Sequence, residues 1–343
     1  MRSVAWRVAR KWGLVAVFLW FAGTAVGDEQ TAWSTLAERF QVAAPTMGGR
    51  QMWTDELVFR EWRIQRHALT SHYRLLDGQD HRRAGGTFDQ CRDELEQIKR
   101  DQSLPPIRGP VVLVLHGLTR SRTTMQSLVD HLQEQGDWTV LNVSYASTRA
   151  DLAGHAAALE RIIAHLDPGV TEISFVAHSL GNLVIRRYLH DVYRRADQGY
   201  PVPQFGRIVM LTPPNRGAQL AERLLTSSVL QWIWGDSAQQ LAQQWDEVAA
   251  DLAIPRGEFG IIAGGTGRSR GASPWLDGDD DGVIGVAETK LPGARDFLLL
   301  PVRHVEATRH AAVHAFTVNF LRTGHFVAED QRQPLPHSGE WEG

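Results

Sequence analysis

The stretch EISFVAHSLGN at residues 172–182 places a serine between an apolar strand pattern and an apolar helix pattern. Ser179 stands at the turn, with the small residues Ala177 and Gly181 on either side. Such a turn projects the serine hydroxyl above a sheet only where small neighbours let the strand and helix backbones approach closely. The context before and after the turn therefore favours a nucleophilic serine over a serine that merely caps a buried helix.

Short apolar runs recur on both sides of this turn, in the pattern of strands buried on both faces of a parallel sheet. Helical patterns alternate with these runs, which predicts the α/β class, with a mostly parallel sheet flanked by helices. The predicted strands are residues 111–115, 138–145, 172–177, 207–211, 259–263 and 296–302. The predicted helices are residues 124–135, 151–166, 182–193 and 218–225.

One connection in this pattern, residues 213–258, is much longer than an ordinary crossover. We interpret it as an inserted cap or lid region, and an extra pair of helices packed on the sheet is the alternative. Three of its residues are tryptophan, namely Trp232, Trp234 and Trp245. The predicted α/β-domain spans residues 108–325, and a C-terminal tail follows at residues 326–343.

Residues 1–27 have the pattern of an export signal. Four basic residues, Arg2, Arg7, Arg10 and Lys11, precede an apolar run from Trp12 to Ala22. Ala25-Val26-Gly27 then supplies small residues before a cleavage point ahead of Asp28. An uncleaved membrane anchor is the alternative, although the run is shorter than the roughly 20 apolar residues that a span requires. We therefore expect a signal peptide and an exported protein, either periplasmic or secreted.

Residues 28–107 precede the regular alternation and are predicted to hold edge strands plus a helix. The rough alternation of β-forming residues over 61–76 predicts two antiparallel strands. The amphipathic segment 87–99 predicts a helix with Cys91 on its apolar face. That position favours a small core residue over a reactive thiol.

Composition excludes several classes of protein. The chain has 343 residues, of which 43% are hydrophobic and 22% charged, as in ordinary globular proteins and unlike disordered chains. The chain has 36 lysines and arginines against 39 aspartates and glutamates. It therefore lacks the excess of basic residues that would indicate a nucleic acid partner. Cys91 is the single cysteine, which excludes an internal disulfide and a cysteine-rich zinc site. The oligomeric state is left open by these numbers.

The residues His116-Gly117-Leu118-Thr119 follow the first predicted strand of the sheet. Acyl transfer builds negative charge on a carbonyl oxygen, and preorganised backbone N–H groups must stabilise it. One donor is expected from the residue after the nucleophile, Leu180, and the other from this loop at Leu118. We interpret His116 and His178 as supporting residues rather than as proton carriers.

Five motifs together resemble those of the α/β-hydrolase superfamily, in particular the bacterial lipases and esterases. The motifs are VLVLHGLT (112–119), VAHSLGN (176–182), MLTPPNRG (210–217), DDGVIGV (280–286) and LLPVRH (299–304). This resemblance implies an α/β-hydrolase fold and a serine hydrolase that cleaves carboxylic esters. It also implies a catalytic triad with the chain order serine, acid, histidine.

By the same resemblance, the acid is Asp281 and the base is His304. Asp281 precedes Gly282 in an Asp-Gly-Val turn, and His304 follows the last predicted strand. A histidine there can reach the elbow serine through Nε2 while its Nδ1–H faces the carboxylate. Two aspartates and two histidines compete for these roles, namely Asp279, Asp280, His310 and His314.

Residues 277–288, DGDDDGVIGVAE, also match the calcium-loop pattern. An EF-hand needs a helix on each side of the loop. The preceding residues 264–274 are poor helix formers, and Pro292 stops a helix after the loop. We therefore favour the catalytic turn and predict no cofactor, while calcium at residues 277–288 without EF-hand helices stays an alternative.

The sequence therefore predicts a lipase-like or esterase-like hydrolase acting through an acyl-enzyme intermediate. Its expected partner is a small-molecule or lipid ester, and contact with a membrane or lipid surface is left open. Two alternatives remain. An acyltransferase would use the same triad with an alcohol or amine as acceptor, and an exported calcium-binding protein would keep a silent hydrolase fold.

Overall fold

The computed structural model describes residues 51–217 and 245–337. The predicted signal peptide, the predicted helix 218–225 and most of the predicted insertion, including Trp232 and Trp234, lie outside these residues. Within the described ranges, no helix combines the length and the apolar character that a membrane crossing requires.

An antiparallel sheet of four strands begins the described chain, with the strands in sequence order. It is followed by helix α1, Phe88–Asp101, which begins at a capping box formed by Thr87 and Gln90. Cys91 is fully buried on the helix, in the core as predicted, and burial raises the pKa of its thiol. The strands are β1 Trp53–Phe59, β2 Trp62–His67, β3 Tyr73–Leu76 and β4 Arg82–Gly86.

This sheet corrects the expectation of edge strands. β1 to β4 pair only with one another, and the parallel sheet has its own edge strands. The physical reason is the length of the connections, since short turns such as that at Arg60 bring consecutive strands together as antiparallel hairpins. The antiparallel pairing of β2 with β3 agrees with the alternation seen over residues 61–76.

The second sheet has six strands, all parallel, and confirms the predicted α/β class. Its order is β10-β9-β8-β7-β5-β6, so the strand that ends at the predicted nucleophile lies near the centre. The strands are β5 Arg108–Leu115, β6 Thr139–Val143, β7 Gly169–His178, β8 Phe205–Leu211, β9 Phe259–Gly264 and β10 Asp296–Leu300.

Helices cover both faces of this sheet. The main helices are α2 Gln126–Gln135, α3 Leu152–Ala164, α4 Leu180–Ala196 and α7 Ala311–Thr323. Two shorter helices are α5 Trp245–Ala250, at the end of the predicted insertion, and α6 Val286–Thr289. Short 3-10 turns occupy Arg122–Met125, Ala307–Arg309 and Glu329–Gln331.

The apolar residues of the parallel strands are divided between two cores because successive side chains of a strand point to opposite faces. Val111, Leu113 and Leu115 of β5 pack with residues of α3 and α4 in one core, which also contains apolar residues of β1 and α1. Val112 and Val114 pack with α2 and α7 in the other core. The continuous apolar runs of the sequence thus follow from burial on both faces.

Asp55 of β1 joins the antiparallel sheet to the end of β6. Its Oδ2 accepts hydrogen bonds from Arg63 Nη1 at 2.8 Å and from the Ser144 N–H at 2.7 Å. Its Oδ1 accepts a hydrogen bond from Gln65 Nε2 at 2.8 Å. Both members of the Asp55–Arg63 ion pair are buried, so each charge depends on the other for compensation.

Replacement of Asp55 by alanine is therefore expected to lower the free energy of unfolding by about 3–5 kcal/mol, because it leaves the Arg63 guanidinium buried without its counter-ion. Urea denaturation measures this change. The matched control is Asp89→Ala, which breaks an ion pair with Arg92 whose side chains are 72% and 45% exposed. That control should cost less than about 1 kcal/mol. Equal losses in the two variants would contradict the prediction.

Candidate active site

Ser179 lies between the last residue of β7 and the first residue of α4, in a backbone conformation that L-residues rarely adopt. Its φ is 53° and its ψ is −124°. Such a conformation costs on the order of 1–3 kcal/mol and persists only where the surroundings hold it. Here the Ser179 N–H donates to the Leu211 carbonyl at 3.0 Å, and Asn182 donates to the Ser179 carbonyl from both its N–H and its Nδ2, each at 3.0 Å. The half-buried hydroxyl of Ser179 is therefore carried on a firmly held turn.

Two glycines allow the end of β5 to lie directly against this turn. A Cβ atom added at Gly181 would lie 2.8 Å from the His116 carbonyl oxygen, and one added at Gly117 would lie 3.0 Å from Cβ of Ser179. Real Cβ contacts are almost never as short as the first of these distances. The sequence analysis required a small residue at position 181, and the close packing of the His116 carbonyl against Gly181 gives the reason.

The two predicted oxyanion donors lie on opposite sides of this contact. Leu180 is the first residue of α4, directly after the serine, and Leu118 follows Gly117 on the loop that touches it. Thr119, the next residue of the loop, has a φ of 57°, which is strained for a β-branched residue. The structure brings this loop close to the serine turn, and the roles of Leu118 and Leu180 as donors stay a prediction.

The strained loop is held by two residues that the sequence analysis missed, Gln51 and Ser147. The Thr119 N–H donates to Ser147 Oγ at 3.0 Å, and Ser147 Oγ donates to Gln51 Oε1 at 3.1 Å. Gln51 Nε2 donates to the Arg120 carbonyl. Gln51 lies just before β1, so the antiparallel region helps to fix the loop that faces the serine. No local pattern marks these residues, because their partners lie far away in the chain.

Asp281 and His304 form a buried pair. His304 Nδ1 lies 2.8 Å from Asp281 Oδ2, and the two side chains are 9% and 0% exposed. Asp281 Oδ1 accepts hydrogen bonds from the N–H groups of Val283 at 2.9 Å and Ile284 at 2.7 Å. The His304 N–H in turn donates to the Asp281 carbonyl at 3.0 Å. The carboxylate is thus oriented by its own turn and holds the imidazole through Nδ1.

His178 connects this pair to the serine. Its Nε2–H donates to the His304 carbonyl at 2.9 Å, and the two rings lie 4.7 Å apart between centroids. His178 directly precedes Ser179, so this hydrogen bond links the serine turn to the backbone at His304. Burial and the neighbouring His304 hold the pKa of His178 well below its ordinary value, which keeps the ring neutral and supports a structural role.

The competing aspartates and histidines have other partners. Asp279 accepts hydrogen bonds from Thr266 and Gly267, and Asp280 Oδ1 accepts from the N–H groups of Ser273 and Gly282. His314 Nε2–H donates to the Thr308 carbonyl at 2.9 Å, and His310 is exposed at the start of α7. Of the named candidates, the structure pairs Asp281 with His304.

His116 shapes the loop, as the sequence analysis proposed. Its Nδ1–H donates to the Gly117 carbonyl at 2.9 Å, and its Nε2 accepts from the Tyr145 N–H at 3.3 Å. The ring stacks on Tyr145 with 4.3 Å between centroids. Burial lowers the pKa of His116 to about 4, so the ring is neutral.

The acidic loop at residues 277–288 uses much of its carboxylate capacity on nearby N–H and hydroxyl groups. Burial tends to raise the pKa of Asp279, but the hydrogen bonds from Thr266 and Gly267 outweigh it and the pKa is lowered. Residues 265–276 contain no helix, and the four-residue α6, Val286–Thr289, begins inside the loop and ends one residue after it. The helix–loop–helix scaffold of an EF-hand is therefore not formed at this segment. Among the described residues, no three metal-ligating side chains are grouped as a metal site.

Comparison with known families supports an ester hydrolase. Residues 110–212, which include the first strand of the parallel sheet, the loop and the serine turn, match the family model described as "Putative serine esterase (DUF676)". The description of this family agrees with the serine esterase that the motif resemblance implies. Comparison with the sequences of curated proteins gives no match.

Several solved structures are similar in fold. A lipase from Bacillus licheniformis in its mature form is 16% identical, with a TM-score of 0.44 over 64% of this chain and 94% of that one. A metagenomic carboxyl esterase is 16% identical, with a TM-score of 0.45 over 63% and 73% of the two chains. The lipase of Staphylococcus hyicus is 12% identical, with a TM-score of 0.43 over 64% and 94%.

The buried histidines predict a loss of stability in acid. Burial lowers the pKa of His116 and His155 to about 4, and it also holds the pKa of His178 well below its ordinary value. The unfolded chain binds protons at these rings near pH 6.5, whereas the folded chain does not, so stability is lost as the pH falls from about 6.5 towards 4. Urea denaturation at pH 7.5 and pH 5.5 should show a loss of about 1 kcal/mol for each of the three rings.

The variant His155→Gln should show a smaller loss of stability between pH 7.5 and pH 5.5, because the contribution of one histidine is removed. This holds whatever the effect of the variant on stability at pH 7.5. The control is Ser103→Ala, because this exposed residue carries no titratable side chain in this pH range. That control should leave the pH dependence as it is. An unchanged slope in His155→Gln would contradict the assignment of a buried neutral ring.

Proposed function

We propose that this chain hydrolyses carboxylic esters by two-step acyl transfer, with Ser179 as nucleophile, His304 as general base and Asp281 as the group that orients His304. The observation that carries the proposal is the buried hydrogen bond between His304 Nδ1 and Asp281 Oδ2, which leaves Nε2 of His304 for the serine. The match of residues 110–212 to a serine esterase family supports the same reaction.

In the first step Ser179 Oγ attacks the ester carbonyl and gives its proton to Nε2 of His304. The tetrahedral intermediate places negative charge on the former carbonyl oxygen, which the N–H groups of Leu118 and Leu180 stabilise. The intermediate collapses as His304 protonates the leaving alcohol, and the acyl group remains on Ser179. Water then attacks the acyl-enzyme, with His304 again accepting and returning the proton.

The proposed reaction needs no cofactor, since the side chains of the triad supply the nucleophile, the base and the orienting charge. The substrate is a small-molecule or lipid ester, and the lipase and esterase names of the similar structures agree with this class. The pattern of residues 1–27 supports export to the periplasm or the medium.

Replacement of Ser179 by alanine should lower kcat on short acyl esters by a factor of about 10⁶, because the nucleophile is lost. A fluorophosphonate should label the wild-type protein and not this variant. Ser103→Ala, at an exposed turn outside the site, is the control and should keep both activity and labelling. Activity that survives in Ser179→Ala would exclude Ser179, and wild-type protein that is not labelled would favour the exported calcium-binding alternative.

Replacement of Asp281 by asparagine should lower kcat by about 10⁴, because an amide stabilises neither the required tautomer nor the imidazolium of His304. Asp279→Asn is the matched control, since Asp279 bonds to Thr266 and Gly267 instead of His304. Steady-state kinetics with a 4-nitrophenyl ester measures both variants. A large loss in Asp279→Asn with a small loss in Asp281→Asn would reverse the assignment of the acid.

A further inference from the structure

A cavity of about 430 Å³ opens next to the proposed catalytic residues. Val305 and Glu306, which directly follow His304, form one part of its wall. His178, which precedes Ser179, and Arg120, which follows the loop facing the serine, form another part. A substrate bound at Ser179 would therefore extend towards this cavity.

The charged side chains of the cavity are mainly positive. Among the described residues, Arg120 and Arg309 line it together with one carboxylate, that of Glu306. The described ranges contain no ion pair that includes Arg120 or Arg309, although many other arginines of the same ranges are paired. Two guanidinium groups that have no ion-pair partner among the described residues therefore line one concave surface next to the proposed catalytic residues.

The apolar content of the cavity is low. Val305 is its one aliphatic lining residue in the described part of the chain, and the remaining lining residues are polar, charged or histidine. A long hydrocarbon chain would gain little by entering it. An anionic group would instead offset the two positive charges, and guanidinium groups bind carboxylates and phosphates with matched geometry.

The backbone on both sides of the cavity is held in place. The Arg120 carbonyl accepts a hydrogen bond from Gln51 Nε2, and the Arg120 N–H donates to the Gly117 carbonyl at 3.2 Å. Elsewhere in the lining, the Arg309 N–H donates to the Glu306 carbonyl at 2.9 Å. Each arginine thus projects from a fixed point, which lowers the cost of binding an anion between them.

We propose that this cavity binds an anionic group of the ester substrate, a carboxylate or a phosphate, between Arg120 and Arg309. The proposal rests on the proposed esterase function and narrows its substrate class to esters that carry a negative charge. The anion lies either on the acyl group or on the alcohol, and the same two arginines recognise it in both cases.

Two matched pairs of substrates test this proposal through their ratios of kcat/KM. The first pair is mono-4-nitrophenyl glutarate against 4-nitrophenyl pentanoate, which differ by a carboxylate on the acyl group. The second pair is butanoyl glycerol 3-phosphate against monobutanoyl glycerol, which differ by a phosphate on the alcohol. In at least one pair the anionic ester should be preferred by about tenfold, as expected for charge-assisted hydrogen bonds. Added salt should reduce this ratio.

Variants assign the preference to the cavity. Arg120→Gln and Arg309→Gln should each lower the anionic-to-neutral ratio about fivefold or more, and Glu306→Gln should raise it. Arg303→Gln is the matched control, because it removes an exposed positive charge beside the site but outside the cavity, and it should leave the ratio unchanged.

An anionic-to-neutral ratio of kcat/KM of one or less in both pairs would overturn the proposal. A decrease of this ratio in Arg303→Gln as large as that in Arg120→Gln and Arg309→Gln would also overturn it. Either result leaves the esterase function standing, since the neutral esters would still be hydrolysed. Failure of the esterase function looks different. In that case none of the four esters would be hydrolysed and the fluorophosphonate would not label the protein. The proposal of an anion site for the substrate would then be wrong together with the esterase function.

Discussion

The contact between the end of β5 and the turn at Ser179 is the constraint on which the rest of the site depends. Gly117 and Gly181 leave no room for a Cβ atom without displacement of their neighbours, so two backbones meet where a side chain would normally separate them. This contact places the loop that contains Leu118 beside the turn at Ser179. It also explains why Ser179 keeps a costly conformation, since the hydrogen bonds from Asn182 and to Leu211 hold the turn from the other side.

The antiparallel sheet is tied to this constraint although it lies outside the parallel sheet. Asp55 bonds to Ser144 at the end of β6, and Gln51 bonds to Ser147 and to the carbonyl of Arg120. Through these contacts the first described residues of the chain fix the loop that faces the serine. They also fix one side of the cavity in which we place the anionic group of the substrate. The proposed recognition of the substrate thus depends on the same region of the chain that holds the buried Asp55–Arg63 ion pair.

The acidic loop shows how one sequence pattern fits two structures. Asp279 and Asp281 stand where a calcium loop would have ligands, yet Asp279 accepts hydrogen bonds from Thr266 and Gly267, and Asp281 accepts them from its own turn and faces His304. Spacing alone does not separate these uses, because a calcium loop and a catalytic turn can both place a carboxylate directly before a glycine. The residues around the loop form turns instead of the long helices of an EF-hand.

The sequence by itself determined the features that depend on neighbours along the chain. The parallel strands follow from continuous apolar runs, and the turn at Ser179 follows from small residues between a strand and a helix. Tertiary structure alone decided which aspartate meets which histidine, since Asp281 and His304 lie 23 positions apart and compete with similar residues nearby. It also decided that Gln51 supports Ser147 across 96 positions and that Arg120 and Arg309 face one cavity. The reason is physical: periodicity records which face of an element is buried, whereas a contact between distant polar groups depends on how the elements pack and leaves no local pattern.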